Sequence, residues 1–197
     1  MWEYPETAGQ GKDFLALLAT VRLYLPEDYY ILTAAFPAGI GLLQMVDVRH
    51  AAKYLDFMNL VACDFFDAWP QRSDHHAPLY LVNEDEPSAA SAVHYLTTSG
   101  VPANKILLGI PVFGHGFSHA KGSRQRSHGV SGEDGSFAHS DLPPRRTKEL
   151  VDKRAVAALY VGKNDGFVTY DNPETVEMNA LFCKQHGLGV SLDPTSH

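Results

Sequence analysis

The stretch that decides the fold is Tyr54-Leu55-Asp56-Phe57-Met58-Asn59-Leu60-Val61-Ala62-Cys63-Asp64-Phe65. Its centre, Phe57 to Cys63, is a short apolar run, which predicts a buried strand. Upstream, residues 40–55 carry Leu42, Leu43, Val46 and Ala51 at helical spacing. Before them, Tyr30 to Phe36 is apolar, has β-branched and aromatic members, and stops at Pro37, which predicts another buried strand. Residues 12–25 place Phe14, Leu18, Val21 and Leu25 on one helical face ended by Pro26. Downstream, a polar loop rich in Asp, His and Pro (67–88) leads to a helix over 89–99, ended by Gly100. A third buried strand follows, Lys105 to Val112.

Strand, helix, strand, helix, strand is the pattern of parallel α/β units. Uniformly apolar strands suggest a sheet covered by helices on both faces. The unit length fits a barrel and a doubly wound sheet equally well. The rhythm then breaks. Residues 114–150 are rich in Gly, Ser, His and Arg, and residues 155–161 and 166–170 read as strands around a turn at Gly162 to Asp165. Together they predict a small inserted α+β element. A helix over 173–186 has Pro173 in its first turn and Gly187 just past its end. Residues 188–192 read as the start of one more strand.

The chain has 197 residues, of which 45% are hydrophobic, and a formal charge of −7. That supports one domain, alone or with a small insertion, and excludes wholesale disorder. The acidic balance argues against nucleic-acid binding. No run of 18 apolar residues occurs, so no membrane helix is expected. The opening Met1-Trp2-Glu3-Tyr4-Pro5 has no basic region and no apolar core, so no signal peptide is read in this chain. Cys63 and Cys183 have no metal-clip spacing and are expected to be two buried thiols. His75-His76 beside Asp74 lacks a third ligand at suggestive spacing, so no metal is expected, and no cofactor motif occurs. Arg124, Arg126, Arg145, Arg146 and Lys148 are expected on a solvated face.

Polar and aromatic residues gather where the strands end: Glu3, then Asp64 with Asp67 and Trp69, then the Phe113-Gly114-His115 turn. In α/β barrels these ends build the active site. Rings beside carboxylates suit a sugar, since flat rings stack on pyranose faces and carboxylates bind hydroxyls.

These same residues resemble the family-18 glycoside hydrolases, the chitinases, most closely the fungal ones. Trp2-Glu3-Tyr4-Pro5 is similar to the end of the motif Asp-x-x-Asp-x-Asp-x-Glu. The 54–65 stretch resembles the family's strand ending in Met-x-Tyr-Asp. Leu107-Leu108-Gly109-Ile110-Pro111-Val112-Phe113-Gly114 resembles its Leu-Gly-Ile-Pro-Val-Tyr-Gly strand. Gly166-Phe167-Val168-Thr169-Tyr170-Asp171-Asn172-Pro173-Glu174 resembles the end of its inserted domain, and Gly187-Leu188-Gly189 the entry to the last barrel strand.

The resemblance implies an α/β fold, a partial (β/α)8 TIM barrel of about strands 4–8 with a small α+β insertion after strand 7. It divides the chain into a barrel portion (1–112), the insertion (113–171), and the last helix with a remnant of strand 8 (172–197). It implies hydrolysis of β-1,4-linked N-acetylglucosamine polymers with retention, in which the substrate's own acetamido oxygen attacks the anomeric carbon, outside the two-carboxylate scheme. Glu3 matches the proton donor. Trp2, Tyr4, Asp64, Trp69, Phe113 and His115 match substrate-binding positions. Chitin or a chitooligosaccharide is the implied partner, the protein a monomer, and the location extracellular.

Several positions depart from the family. Met1 stands where the Asp two residues before the donor would be, so the chain begins inside the motif. Cys63 replaces the tyrosine whose hydroxyl bonds the acetamide; a thiol is shorter and a weak donor. His115 replaces Arg and loses its permanent charge and fork. After Gly189 the sequence does not match, as a frameshift or misjoined exon would leave it. About 250 residues make such a barrel, so the chain is expected to be an N-terminally truncated fragment, inactive as it stands and poorly soluble. The alternatives are a lectin-like chitin-oligosaccharide binder without catalysis and the non-functional product of a degraded gene.

Overall fold

Thr7 starts the first helix earlier than the apolar spacing suggests. Its hydroxyl accepts from the Gln10 amide, and the Gln10 side chain returns to the Thr7 amide. This capping box sets α1 at Ala8–Tyr24. The structure is a computed structural model and describes residues 4–65, 72–81, 86–127 and 129–193.

Strand β1 is Thr33–Pro37, shorter than the apolar run 30–36. Asp56 explains the late start. Its carboxylate accepts the Leu32 amide at 2.6 Å and its own amide donates to the Leu32 carbonyl, so Tyr30 and Ile31 stay outside the sheet and exposed. The helix expected over 40–55 is two short ones, α2 (Ile40–Leu43) and α3 (Val48–Tyr54). The break comes at Asp47, whose carboxylate accepts the His50 amide and starts a new helix. Strand β2 (Phe57–Val61), helix α4 (Ala89–Thr98) and strand β3 (Ile106–Pro111) follow within a few residues of expectation.

The turn expected at Phe113-Gly114-His115 is the start of a strand, β4 (Phe113–Phe117). It pairs with β5 (Val130–Ala138), which the polar composition of 114–150 hid. A short strand β6 (Leu150–Asp152) and the expected hairpin β7 (Ala157–Gly162) and β8 (Gly166–Tyr170) complete an antiparallel sheet in the order β5-β4-β8-β7-β6. Helix α5 spans Pro173–His186 as read, capped by Asn172 and closed by Gly187 at φ +69°. Strand β9 (Gly189–Asp193) ends the described chain.

The first sheet is parallel, in the order β1-β2-β3-β9, and open. Its burial corrects the expectation of helices on both faces. Ala34, Phe36, Met58, Leu60, Ile106 and Leu108 point into one core with Phe14, Leu18, Ala51, Ala92, Leu96 and Phe182 from the helices. The alternate residues Thr33, Ala35, Asn59, Val61 and Leu107 are only half-buried. A sheet with helices on one face and side chains of its own on the other is what a barrel wall requires.

The β2–β3 pairing is close at Gly109, where a Cβ would lie 2.8 Å from the Leu60 carbonyl oxygen. Gly109→Ala is therefore expected to cost about 2 kcal/mol, seen as a lower urea midpoint with unchanged slope. An unchanged midpoint would show that the two strands separate freely.

Candidate functional site

Parallel strands bring their C-terminal ends to one edge of the sheet, and β2 and β3 deliver the site there. Beyond β2 the chain reaches Asp64, which takes a left-handed backbone, φ +50°, and leaves its carboxylate exposed. Oδ1 lies 3.5 Å from His76 Nδ1 and 3.8 Å from His115 Nδ1. The two imidazoles stack at 6.1 Å with 22° between their planes, and Phe113 packs on His76 at 5.2 Å. Both ring nitrogens of His76 and Nε2 of His115 are buried with no hydrogen-bond partner among the described residues.

His76 arrives on a segment, 72–79, that has no helix or strand, yet Ser73 to His76, Pro78 and Leu79 in it are buried. Its backbone is satisfied by the chain around it. Ser73 donates to the Gln125 carbonyl at 2.8 Å and accepts from the Arg124 amide at 2.5 Å. Phe65 donates to the His76 carbonyl at 3.1 Å, and Leu79 to that of Ala155 at 2.8 Å. Charges pin the same segment. Arg72 and Arg124 each lie 3.6 Å from Asp74 Oδ2 and bond Glu86 at 3.0 and 2.8 Å. Arg124 is thus drawn out of the solvated face expected for it, whereas Arg126, Arg145, Arg146 and Lys148 are exposed. His75 points the other way, between Thr169 Oγ1 (3.0 Å) and Asp152 Oδ2 (3.3 Å).

Burial dominates the electrostatics. It holds the His115 imidazole down at about 4, helped by His76 and opposed by Asp64. His115 is therefore neutral at physiological pH. The fixed charge of an arginine is missing here. Burial likewise lowers His75, against the pull of Asp152 and Asp74. At the end of β8, Asp171 is fully buried and pushed up to about 6, in spite of the Thr175 hydrogen bond and the nearby His76 and His139. Asn179 Nδ2 donates to its Oδ1 at 3.3 Å.

The structure brings Asp64, Phe113 and His115 together. Trp2, Glu3, Asp67 and Trp69 lie outside the described residues. Tyr4 is exposed, and no hydrogen bond, ion pair or ring contact among the described residues joins it to the cluster. Phe113, expected to offer a ring to a sugar, is buried and packs its ring against His76. Cys183 is buried as expected and Cys63 is only half-buried; neither is in a disulfide. Sequence reasoning missed His76 and Asp171. The sequence weighs His75 and His76 only as metal ligands and sets them aside, whereas the structure sends these neighbours of an extended segment to opposite sides. The exposed carboxylate, backed by imidazoles and without a fixed positive charge, suits hydroxyl donors better than anions.

A family model described as glycosyl hydrolases family 18 matches residues 1–191. Chitinase 1 of Aphanocladium album is 29% identical over 208 residues, covering 97% of this chain and 49% of the relative. Endochitinase 1 of Metarhizium robertsii is 30% identical over 207 residues, again 97% and 49%. The chain thus spans about half the length of these relatives. The crystal structure of a class V chitinase from Nicotiana tobaccum superposes with a TM-score of 0.87 at 25% identity, covering 98% of this chain and 62% of that one. The chitinase of Cycas revoluta in complex with (GlcNAc)3 shares the fold, with a TM-score of 0.86 at 23% identity, covering 97% and 60%.

Proposed function

The chain belongs to glycosyl hydrolases family 18, and from that membership we propose that the site at Asp64 binds β-1,4-linked N-acetylglucosamine oligosaccharides, whose hydrolysis is the associated chemistry. The observation that carries this is the exposed Asp64 carboxylate at the C-terminal edge of the parallel sheet, backed by His76 and His115. A sugar hydroxyl donates to Asp64, and the imidazoles fix the carboxylate's orientation. In the proposed reaction Glu3 gives its proton to the glycosidic oxygen as that bond breaks. The acetamido oxygen of the same sugar bonds to the anomeric carbon, and water then opens the oxazolinium with retention. An extracellular site of action and a monomeric state belong to the same proposal. So does the division at residues 112 and 171, which the separation of the two sheets supports.

A second reading, binding without turnover, is favoured by Cys63. By resemblance it stands at the motif position whose tyrosine hydroxyl would bond the reacting acetamide, and a thiol is a weak donor.

Calorimetric titration with chitotetraose tests the binding and a fluorogenic chitobioside the turnover. The folded chain is expected to bind, and Asp64→Ala to weaken binding by about tenfold or more, the loss of a charge-assisted hydrogen bond. Equal affinity in Asp64→Ala would remove Asp64 from the site. A folded chain that binds no chitotetraose would overturn the reading.

A further inference from the structure

The last turn of α1 and the loop into β1 carry Leu23, Tyr24, Tyr29, Tyr30 and Ile31, with 75%, 77%, 82%, 50% and 76% of their surfaces exposed. No other nine-residue stretch of the described chain holds as many large exposed apolar side chains. On an ordinary monomer surface such residues are scattered singly.

This ledge is held in place. Arg22 donates from Nη1 to the carbonyls of Leu25 (3.3 Å) and Tyr30 (3.2 Å), from Nε to that of Tyr54 (2.6 Å), and from Nη2 to Asp56 (2.6 Å). The amides of Tyr29 and Tyr30 both donate to the Pro26 carbonyl at 3.1 Å. The rings therefore stand on a fixed loop and lose little backbone freedom when covered. The ledge precedes β1, whereas Asp64 follows the parallel β2, so the two lie at opposite ends of the sheet.

Charge and side-chain type select the occupant. Between Leu23 and Leu32 the only charged residues are Glu27 and Asp28, both exposed, and Arg22 is spent on the loop. With a chain charge of −7, polyanions and anionic bilayers are repelled. Three of the five side chains are tyrosines, each with a flat apolar face and a hydroxyl at its rim. An uncharged polysaccharide offers the matching surface, flat C–H faces edged with hydroxyls. We propose that this ledge docks the protein on the surface of insoluble chitin, separately from the Asp64 site; the choice of polymer rests on the function proposed above.

The test is sedimentation of the full chain with colloidal chitin, beside chitotetraose titration and analytical ultracentrifugation. Tyr24→Ala, Tyr29→Ala and Tyr30→Ala combined are expected to weaken adsorption by at least about tenfold and leave the chitotetraose affinity unchanged. Asp64→Ala is expected to do the reverse. Should the triple variant fail to fold, Tyr29→Ala alone, the most exposed ring, is expected to weaken adsorption in the same direction. Adsorption unaffected by these substitutions overturns the proposal. So does a wild-type dimer that the tyrosine variants convert to monomer, which would give the ledge to a second copy of the chain. Tyrosine-dependent adsorption without chitotetraose binding would sink the reading of the Asp64 site and leave the ledge standing.

Discussion

Replacing Cys63 by tyrosine is expected to raise turnover of a fluorogenic chitobioside by about 100-fold, the scale on which misplacing a reacting group by about 1 Å slows a reaction, because the hydroxyl would hold the attacking acetamide in place. The alternation of burial along β2 continues past its end. Val61 and Cys63 are half-buried, and Ala62 between them is buried. Position 63 therefore shares the helix-free side of the sheet with Asn59 and Val61, and a longer side chain there does not enter the core. The gain belongs in kcat rather than KM, because a bond that holds the acetamide oxygen in line as it attacks the anomeric carbon acts on the transition state. Adding Glu3→Gln to the Cys63→Tyr protein should abolish the gain and bring the rate to the wild-type level or below it. Equal rates for wild type and Cys63→Tyr would show that the hydroxyl is not what the site lacks. A gain that survives Glu3→Gln would assign the proton to another acid.

Asp171→Asn is expected to stabilise the chain at pH 7–8 by about 2–3 kcal/mol and to leave it unchanged near pH 4. Burial lifts this carboxyl from an ordinary 3.8 to about 6, so the folded chain holds the proton more tightly than the unfolded one. Its contribution favours folding at low pH and is lost as pH rises through about 6, where a buried charge must be carried. Asparagine has no such charge and keeps a carbonyl oxygen for Asn179. The histidines work in the opposite sense. Burial lowers both His75 and His115, so their contribution is present above the ordinary 6.5 and is lost as pH falls, for His115 towards about 4. Between pH 6 and 4 the carboxyl therefore offsets part of the histidine loss. Asp171→Asn removes that offset, and its urea midpoint should fall more steeply with acid than the wild type's. A variant weaker than wild type at pH 8 would mean that Asp171 is held by its partners rather than strained by burial.

The parallel sheet was legible because its strands are short apolar runs between helical spacings. Where the reading failed, one polar residue had decided the outcome. Asp56 delays β1 by capturing the Leu32 amide, and Asp47 splits one apolar spacing into two helices. Neither effect changes hydrophobic periodicity, so periodicity does not report it. Strands β4 and β5 were hidden because Phe113–Phe117 and Val130–Ala138 are rich in glycine and serine, and antiparallel neighbours, rather than composition, make them strands. The site was half legible. Asp64 and His115 follow apolar strands in sequence, which marks them. His76 is brought in by backbone bonds from Phe65, and the segment carrying it is tied to Gln125 and Ala155, far away along the chain. Nothing local announces it.

The stitching of 72–79 has a consequence for how the molecule opens. Ser73, His75 and Leu79 are fastened to Gln125, Thr169 and Ala155, all in or beside the second sheet. The imidazole behind Asp64 thus belongs, in folding terms, to the second sheet, although the carboxylate belongs to the first. The two layers should exchange their amide hydrogens as one cooperative unit rather than as two. A protease nick between Lys121 and Arg126, on the surface and distant in sequence from Asp64, would loosen the site before either sheet had melted.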